Sequence, residues 1–113
     1  MNNDALLPGV SGMSLYVPAL RVRLQDWCEW TGNPWDKIQA VVGHSFRYPA
    51  RHENVYTMAA NAVLRLIQRY DVDPQSIGQL ALGTESSKDN SAGAVIVRGM
   101  VDRALEGLSL IHI

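Results

Sequence analysis

The chain has 113 residues, 47% hydrophobic and 19% charged, with 10 Lys and Arg against 11 Asp and Glu, for a net charge of −1. That length suits one domain with a buried core. The apolar fraction argues against intrinsic disorder, and the near-neutral charge balance against nucleic-acid binding driven by phosphate attraction. No apolar run approaches the ~20 residues that span a bilayer, no basic leader opens the chain, and a single cysteine excludes an internal disulfide and a cysteine-based zinc site. The expectation is a mixed α/β protein of the cytoplasm.

Residues 1–8 read as a loose N-terminus closed by Pro8 and Gly9. From Val10 to Val17 the pattern predicts a strand, ended by Pro18. Gly12 and Ser14 form its small-residue side, suited to close packing on one face. Leu24, Trp27 and Cys28 fall at i, i+3, i+4 and predict a helix over Leu24–Trp30, stopped by Gly32-Asn33-Pro34. Lys37–Gly43 is too short for periodicity to separate strand from helical turn. His44–His52 reads as a loop.

The strongest periodicity predicts a helix from Val55 to Tyr70, with Val55, Met58, Ala59, Ala62, Val63, Leu66, Ile67 and Tyr70 on one face. Asn54 is its N-cap, and Glu53 complements the helix dipole. Asp73 caps a short turn with Pro74 in first position. The apolar run Ile77–Gly83 predicts a buried strand of a parallel sheet. Thr84–Gly93 forms a loop at its carboxyl end, and a helix follows over Ala94–Leu105. Chemistry gathers in loops of that position in α/β sheets.

Several side chains are candidates for chemistry. Glu85 follows the predicted buried strand, where partial desolvation equips a carboxyl to take and return a proton near neutral pH; a solvated loop glutamate is the plainer alternative. Cys28 could be a nucleophile, but its place on an apolar helix face between tryptophans favours a buried structural thiol. His44 and His52 lack metal-ligand spacing. Arg47, Arg51 and His52, interleaved with Phe46 and Tyr48, could hold a nucleotide through stacking and phosphate contacts, or could form a solvated loop. Trp27, Trp30 and Trp35 read as core or subunit-contact residues. There is no phosphate-binding glycine loop, nucleophile elbow or dinucleotide fingerprint.

Taken together, these residues resemble the N-terminal part of the hydroxymethylglutaryl-CoA synthase family, within the thiolase-like superfamily. The resemblance rests on Gly9-Val10 opening a strand that ends Tyr16-Val17-Pro18, on Glu53-Asn54-Val55 starting the long helix, and on Ile77-Gly78-Gln79-Leu80 through Gly83-Thr84-Glu85. Asp89 and Ser91 follow. It implies an α/β chain forming part of a layered α/β/α/β/α fold, truncated within the first half. Residues 1–107 would belong to the synthase-like domain, and 108–113 would be a tail that does not match.

The resemblance further implies an acyltransferase that condenses acetyl-CoA with acetoacetyl-CoA, or with a carrier-bound equivalent. It would serve the mevalonate route to isoprenoids or β-branching in polyketide assembly. Glu85 matches the family's general base. Arg47 and Arg51 are candidates for contact with CoA phosphates. No cofactor, metal, membrane or nucleic acid is implied, and the intact enzyme would be a homodimer. The family's nucleophilic cysteine lies beyond Glu85, and this chain has none there, so the chain by itself is expected to be an inactive fragment. The competing readings are a ketoacyl synthase III-like condensing enzyme, which usually lacks the glutamate, and a non-catalytic domain that kept the fold.

Overall fold

The computed structural model describes residues 7–86 and 92–111, the last four by backbone alone. In chain order the elements are β1 (Leu20–Arg23), α1 (Leu24–Thr31), α2 (Trp35–Val42), β2 (Ser45–Tyr48), α3 (Val55–Tyr70), a 3-10 turn (Pro74–Ser76) and α4 (Gly93–Ile111). They form two groups that pack little on each other. The first comprises β1, α1, α2 and β2, and the second α3 and α4. The radius of gyration is 18.5 Å, well above the ~13 Å of a compact chain of this length.

In the first group, Leu24 and Cys28 lie one helical turn apart and are the buried residues of α1. Gly32 ends the helix in the left-handed region at φ 72°, a conformation a side chain would strain. The ambiguous segment after it resolves as helix α2, whose Ile38 N–H donates to Pro34 O at 3.2 Å. The segment expected to be a loop contains β2. It pairs antiparallel with β1, Leu20 opposite Tyr48, Arg21 opposite Arg47, Val22 opposite Phe46 and Arg23 opposite Ser45. Its alternation of polar and aromatic residues is a strand pattern, concealed in the sequence by a single turn of charged neighbours. Trp27 of α1 meets the Phe46 ring edge-on at 6.0 Å.

The second group is built on α3, as the periodicity predicts. Asn54 Oδ1 accepts from Tyr56 N (3.0 Å) and Thr57 N (2.9 Å), while Thr57 Oγ1 accepts from Asn54 N (2.9 Å). This reciprocal cap satisfies donors that helix geometry leaves open. Ala60 and Ile67 pack with Val97 and Val101 of α4 in the core, flanked by Val63, Leu64, Leu80, Leu82 and Leu105. Asp73 accepts from Gln75 N ahead of the 3-10 turn, with Pro74 in first position. Helix α4 runs beyond the expected end at Leu105, through Ile111.

Two expectations need correction. Neither Val10–Val17 nor Ile77–Gly83 is a paired strand. Both are unpaired chain, and the sheet among the described residues is the antiparallel β1–β2 ribbon rather than a parallel one. A strand is defined by a neighbouring backbone, and none among the described residues runs beside either segment. Their burial nonetheless alternates with period two. Gly12, Ser14 and Tyr16 are half-buried while Met13, Leu15 and Val17 are exposed; Leu80 and Leu82 are half-buried while Gln79 and Ala81 are exposed. The expected tight side of the first segment is real: a Cβ on Gly12 would lie 2.8 Å from the Tyr70 ring.

Candidate active site

The residues that place Glu85 belong to the second group. Leu82 packs against the α3–α4 core, and Gly93, where α4 begins, leaves room for it. A Cβ there would stand 2.8 Å from Leu82 Cδ2 and 3.4 Å from the Tyr56 ring. The chain therefore leaves and re-enters the core at neighbouring points, with Glu85 on the connection between them. Thr84 Oγ1 accepts from Ser86 N at 3.0 Å and shapes the bend on which Glu85 stands. Asp89 and Ser91 lie outside the described residues.

Glu85 is exposed. The dry surroundings expected for it are not supplied among the described residues, where the segment before it is packed on one side only. An open groove of about 890 Å³ runs between α3, α4 and the 74–80 segment, lined by Ile67, Ile77, Leu80, Val101 and Leu105, and Glu85 is not part of it.

The other candidates lie in the first group or between the two. Arg47 is on β2 and Arg51 in the turn beyond it, both exposed. Arg47 Nη1 donates to the carbonyls of Pro18 (3.3 Å) and Ala19 (3.2 Å). Nothing brings either arginine together with Glu85. Cys28 is 4% exposed, enclosed in α1 as a structural thiol would be. His44 and His52 are exposed. Among the described residues, no group of three His, Cys, Asp or Glu side chains is arranged to hold a metal ion, and no helix is long and apolar enough to cross a membrane.

One cluster escapes sequence reasoning. The Tyr16 hydroxyl donates to Glu53 Oε2, and Glu53 Oε1 accepts from Ala50 N at 2.9 Å. The Arg65 guanidinium lies 5.0 Å from the Tyr16 ring centre and donates to Leu15 O at 3.0 Å. The Tyr16 hydrogen bond, then the Ala50 N–H, hold the Glu53 carboxyl below its usual range. The same hydrogen bond, with desolvation and the Glu53 charge, raises Tyr16. Glu53 reads from the sequence as a dipole partner for α3; its link to a residue 37 positions earlier has no local signature.

Comparison with known proteins places this geometry. The profile described as "Hydroxymethylglutaryl-coenzyme A synthase N terminal" matches residues 7–104. Hydroxymethylglutaryl-CoA synthase A of Dictyostelium discoideum is 32% identical over 84 residues, which cover 74% of this chain and 17% of the relative. A hydroxymethylglutaryl coenzyme A synthase of a Fusarium species is 29% identical over 110 residues, 92% of this chain and 24% of the relative. Among solved structures, MvaS in complex with 3-hydroxy-3-methylglutaryl coenzyme A superposes with a TM-score of 0.70 at 32% identity, over 83% of this chain and 23% of that one. The chain thus spans about a fifth of the length of these relatives, and its elements are part of an α/β, thiolase-like fold. With the match reaching from the extended N-terminal segment past the Glu85 bend into α4, the chain belongs to the hydroxymethylglutaryl-CoA synthase family, as its N-terminal part.

Proposed function

We propose that this chain supplies the N-terminal part of an acyltransferase that condenses acetyl-CoA with acetoacetyl-CoA to give 3-hydroxy-3-methylglutaryl-CoA, with Glu85 as general base. The observation that supports this reading most is the family match across residues 7–104, with Gly83-Thr84-Glu85 inside it on a bend anchored by Leu82 and Gly93.

The chemistry begins on a cysteine outside this chain, which takes the acetyl group from acetyl-CoA. A thioester methyl is a weak carbon acid, so a base must stand beside it. Glu85 removes a methyl proton; the resulting carbanion attacks the ketone carbon of acetoacetyl-CoA, and the new alkoxide takes up a proton. Water then cleaves the thioester, which releases product and restores the thiol. Hydrogen-bond donors aimed at the thioester oxygen lower the cost of the enolate. The walls that dry the Glu85 carboxyl belong, in this reading, to the remainder of the relatives' length. The intact enzyme works as a homodimer in the cytoplasm and needs no cofactor or metal.

The test is Glu85→Ala in the intact enzyme. Acetylation of the cysteine by labelled acetyl-CoA is expected to persist while condensation falls by several orders of magnitude. Condensation at near the unsubstituted rate would remove Glu85 from the role of base. Comparing acetoacetyl-CoA with a carrier-bound acceptor in the same assay separates precursor supply from polyketide β-branching.

A further inference from the structure

The chain leaves the α3–α4 body once and returns to it once. Residues 10–17 lie along α3: the Tyr70 ring closes on Gly12, and Arg65 Nη1 donates to Leu15 O at 3.0 Å. Residues 20–48 then form the first group, and the chain rejoins the body at Val55. No strand or helix of the first group packs broadly on α3 or α4. Two short links, 17–19 and 49–54, therefore carry that group, and the Leu20–Tyr48 pair marks where they meet the ribbon.

Where packing is thin, orientation depends on what the links bond to. On the body side, the Tyr16 hydroxyl ahead of the first link donates to Glu53 Oε2 in the second. The other Glu53 oxygen accepts from Ala50 N at 2.9 Å, and the Glu53 N–H donates to Ala50 O at 3.0 Å, so one residue closes the turn of the second link twice. On the ribbon side, Arg47 Nη1 reaches back to the first link and donates to Pro18 O at 3.3 Å and Ala19 O at 3.2 Å. Each set of bonds joins the outgoing link to the returning one, and neither involves the buried residues of either group. Pro18 and Pro49 fix φ at one position in each link, so rotation falls on the small residues beside them, Ala19 and Ala50. Bonds that exchange with water bring only a small net gain, a size that tips a population between two arrangements.

We propose that links 17–19 and 49–54 form a hinge on which the β1–α1–α2–β2 group swings against the α3–α4 body, and that the Tyr16–Glu53 and Arg47–Pro18 bonds are the clasps that hold it in one position. Glu85 belongs to the body, so the clasps also fix how the first group stands toward it. The hinge itself does not depend on the role of Glu85.

The experiment measures distances between nitroxide labels in the full chain by double electron–electron resonance. Labelled molecules are diluted into unlabelled chain, and mass spectrometry confirms that enclosed Cys28 stays unlabelled. One pair spans the hinge, Val41→Cys on α2 with Val95→Cys on α4, at positions 88% and 72% exposed. The other, Gln68→Cys with Val95→Cys, lies within the body. A single narrow peak is expected across the hinge. Tyr16→Phe, Arg47→Gln and Glu53→Gln, whose one amide oxygen cannot accept from both Tyr16 and Ala50, are each expected to raise the fraction of molecules outside that peak about tenfold, the shift that follows one lost charge-assisted hydrogen bond. Tyr16→Phe combined with Arg47→Gln is expected to raise it further, and Arg47→Lys, which keeps a donor, to raise it less than Arg47→Gln does. The pair within the body is expected to keep its peak throughout, at unchanged far-UV circular dichroism.

A hinge peak that stays narrow in the double variant overturns the hinge. A hinge pair already as broad in the unsubstituted chain as in the variants overturns the clasps. Broadening of both pairs together overturns the hinge as well, because the bonds would then support the fold as a whole rather than the position of one group.

Discussion

The Tyr16 hydroxyl and the Glu53 carboxylate share a hydrogen bond that ties the extended N-terminal segment to the turn before α3. Arg65 reinforces the tie from the middle of α3, through Leu15 O and the Tyr16 ring. Because the bond lowers the Glu53 carboxyl, its stabilising contribution is present above the ordinary carboxylate range and is lost as pH falls through the lowered value. Because it raises Tyr16, the contribution is also present below the ordinary tyrosine value and is lost as pH rises through the raised one. Tyr16→Phe is expected to lower the urea midpoint at neutral pH and to flatten its decline at both ends. Glu53→Gln is expected to flatten the acid side. A Tyr16→Phe profile parallel to that of the unsubstituted chain would show that the tie contributes nothing to folding.

The two groups of elements have separate cores, and this is measurable. Trp27, Trp30 and Trp35 all fall in α1 and α2, so tryptophan emission reports on the first group, while helical circular dichroism comes mainly from α3 and α4. Val97 is 1% exposed in the α3–α4 core, and Leu24 is 1% exposed under α1. Val97→Ala is expected to cost about 2 kcal/mol and Leu24→Ala about 3 kcal/mol. Val97→Ala should shift the dichroism transition in urea and leave the emission transition in place, with the reverse for Leu24→Ala. Coincident shifts in both signals would mean that the chain unfolds as one unit.

What the sequence reveals follows the range of the forces involved. Helix α3 and its Asn54 cap are legible because their signals are local, but the face it buries is turned from the expected one: Ala59, Val63 and Ile67 pack in the core as expected, joined by Tyr56, Ala60 and Leu64, while Tyr70 is exposed. The small-residue side of Val10–Val17, Gly12 and Ser14, is legible too, and the burial pattern keeps it; Ile77–Gly83, expected as a buried run, is instead half-buried on one side only. Pairing is another matter, because it requires a neighbouring backbone that no local pattern announces. The β1–β2 ribbon was hidden for the same reason: its strands lie more than twenty residues apart with two helices between. At the candidate site, the Gly83-Thr84-Glu85 bend is recognisable from its residues, but the exposure of Glu85 depends on what packs over it. The Arg21–Arg47 opposition becomes visible only once the register is known.

The enclosed position of Cys28 separates it from catalysis. A thiol attacks an acyl group only when it is accessible and can reach the thiolate form. Cys28 is 4% exposed on the buried side of α1, next in line to Leu24. Labelled acetyl-CoA is expected to leave the folded chain unmodified, and the purified chain is expected to form no 3-hydroxy-3-methylglutaryl-CoA. Iodoacetamide should react with Cys28 at the rate of unfolding and become fast only in denaturant. Stoichiometric acetylation of Cys28 in the folded chain would make it a nucleophile after all.

The side of the N-terminal segment turned away from α3 is expected to govern the association of the chain in solution. Met13, Leu15 and Val17 are 71%, 75% and 52% exposed, a continuous apolar stripe at alternate positions. Tyr70 and Arg65 bond the backbone of Met13 and Leu15. Residues one apart along an extended chain point their N–H and C=O groups in opposite directions, so Ser14 and Tyr16 present theirs on the other edge. An apolar stripe beside an open backbone edge is the feature that drives edge-to-edge association. Sedimentation velocity should show mass rising with concentration across the micromolar range. Leu15→Lys, which places a charge on the stripe without touching Gly12, Tyr16 or the Arg65 bond to the main chain, should return the chain to a monomer with unchanged dichroism. Association that is indifferent to Leu15→Lys would locate the sticking surface elsewhere, with Trp30 of α1 and Val41 of α2, exposed at 73% and 88%, as the next residues to change.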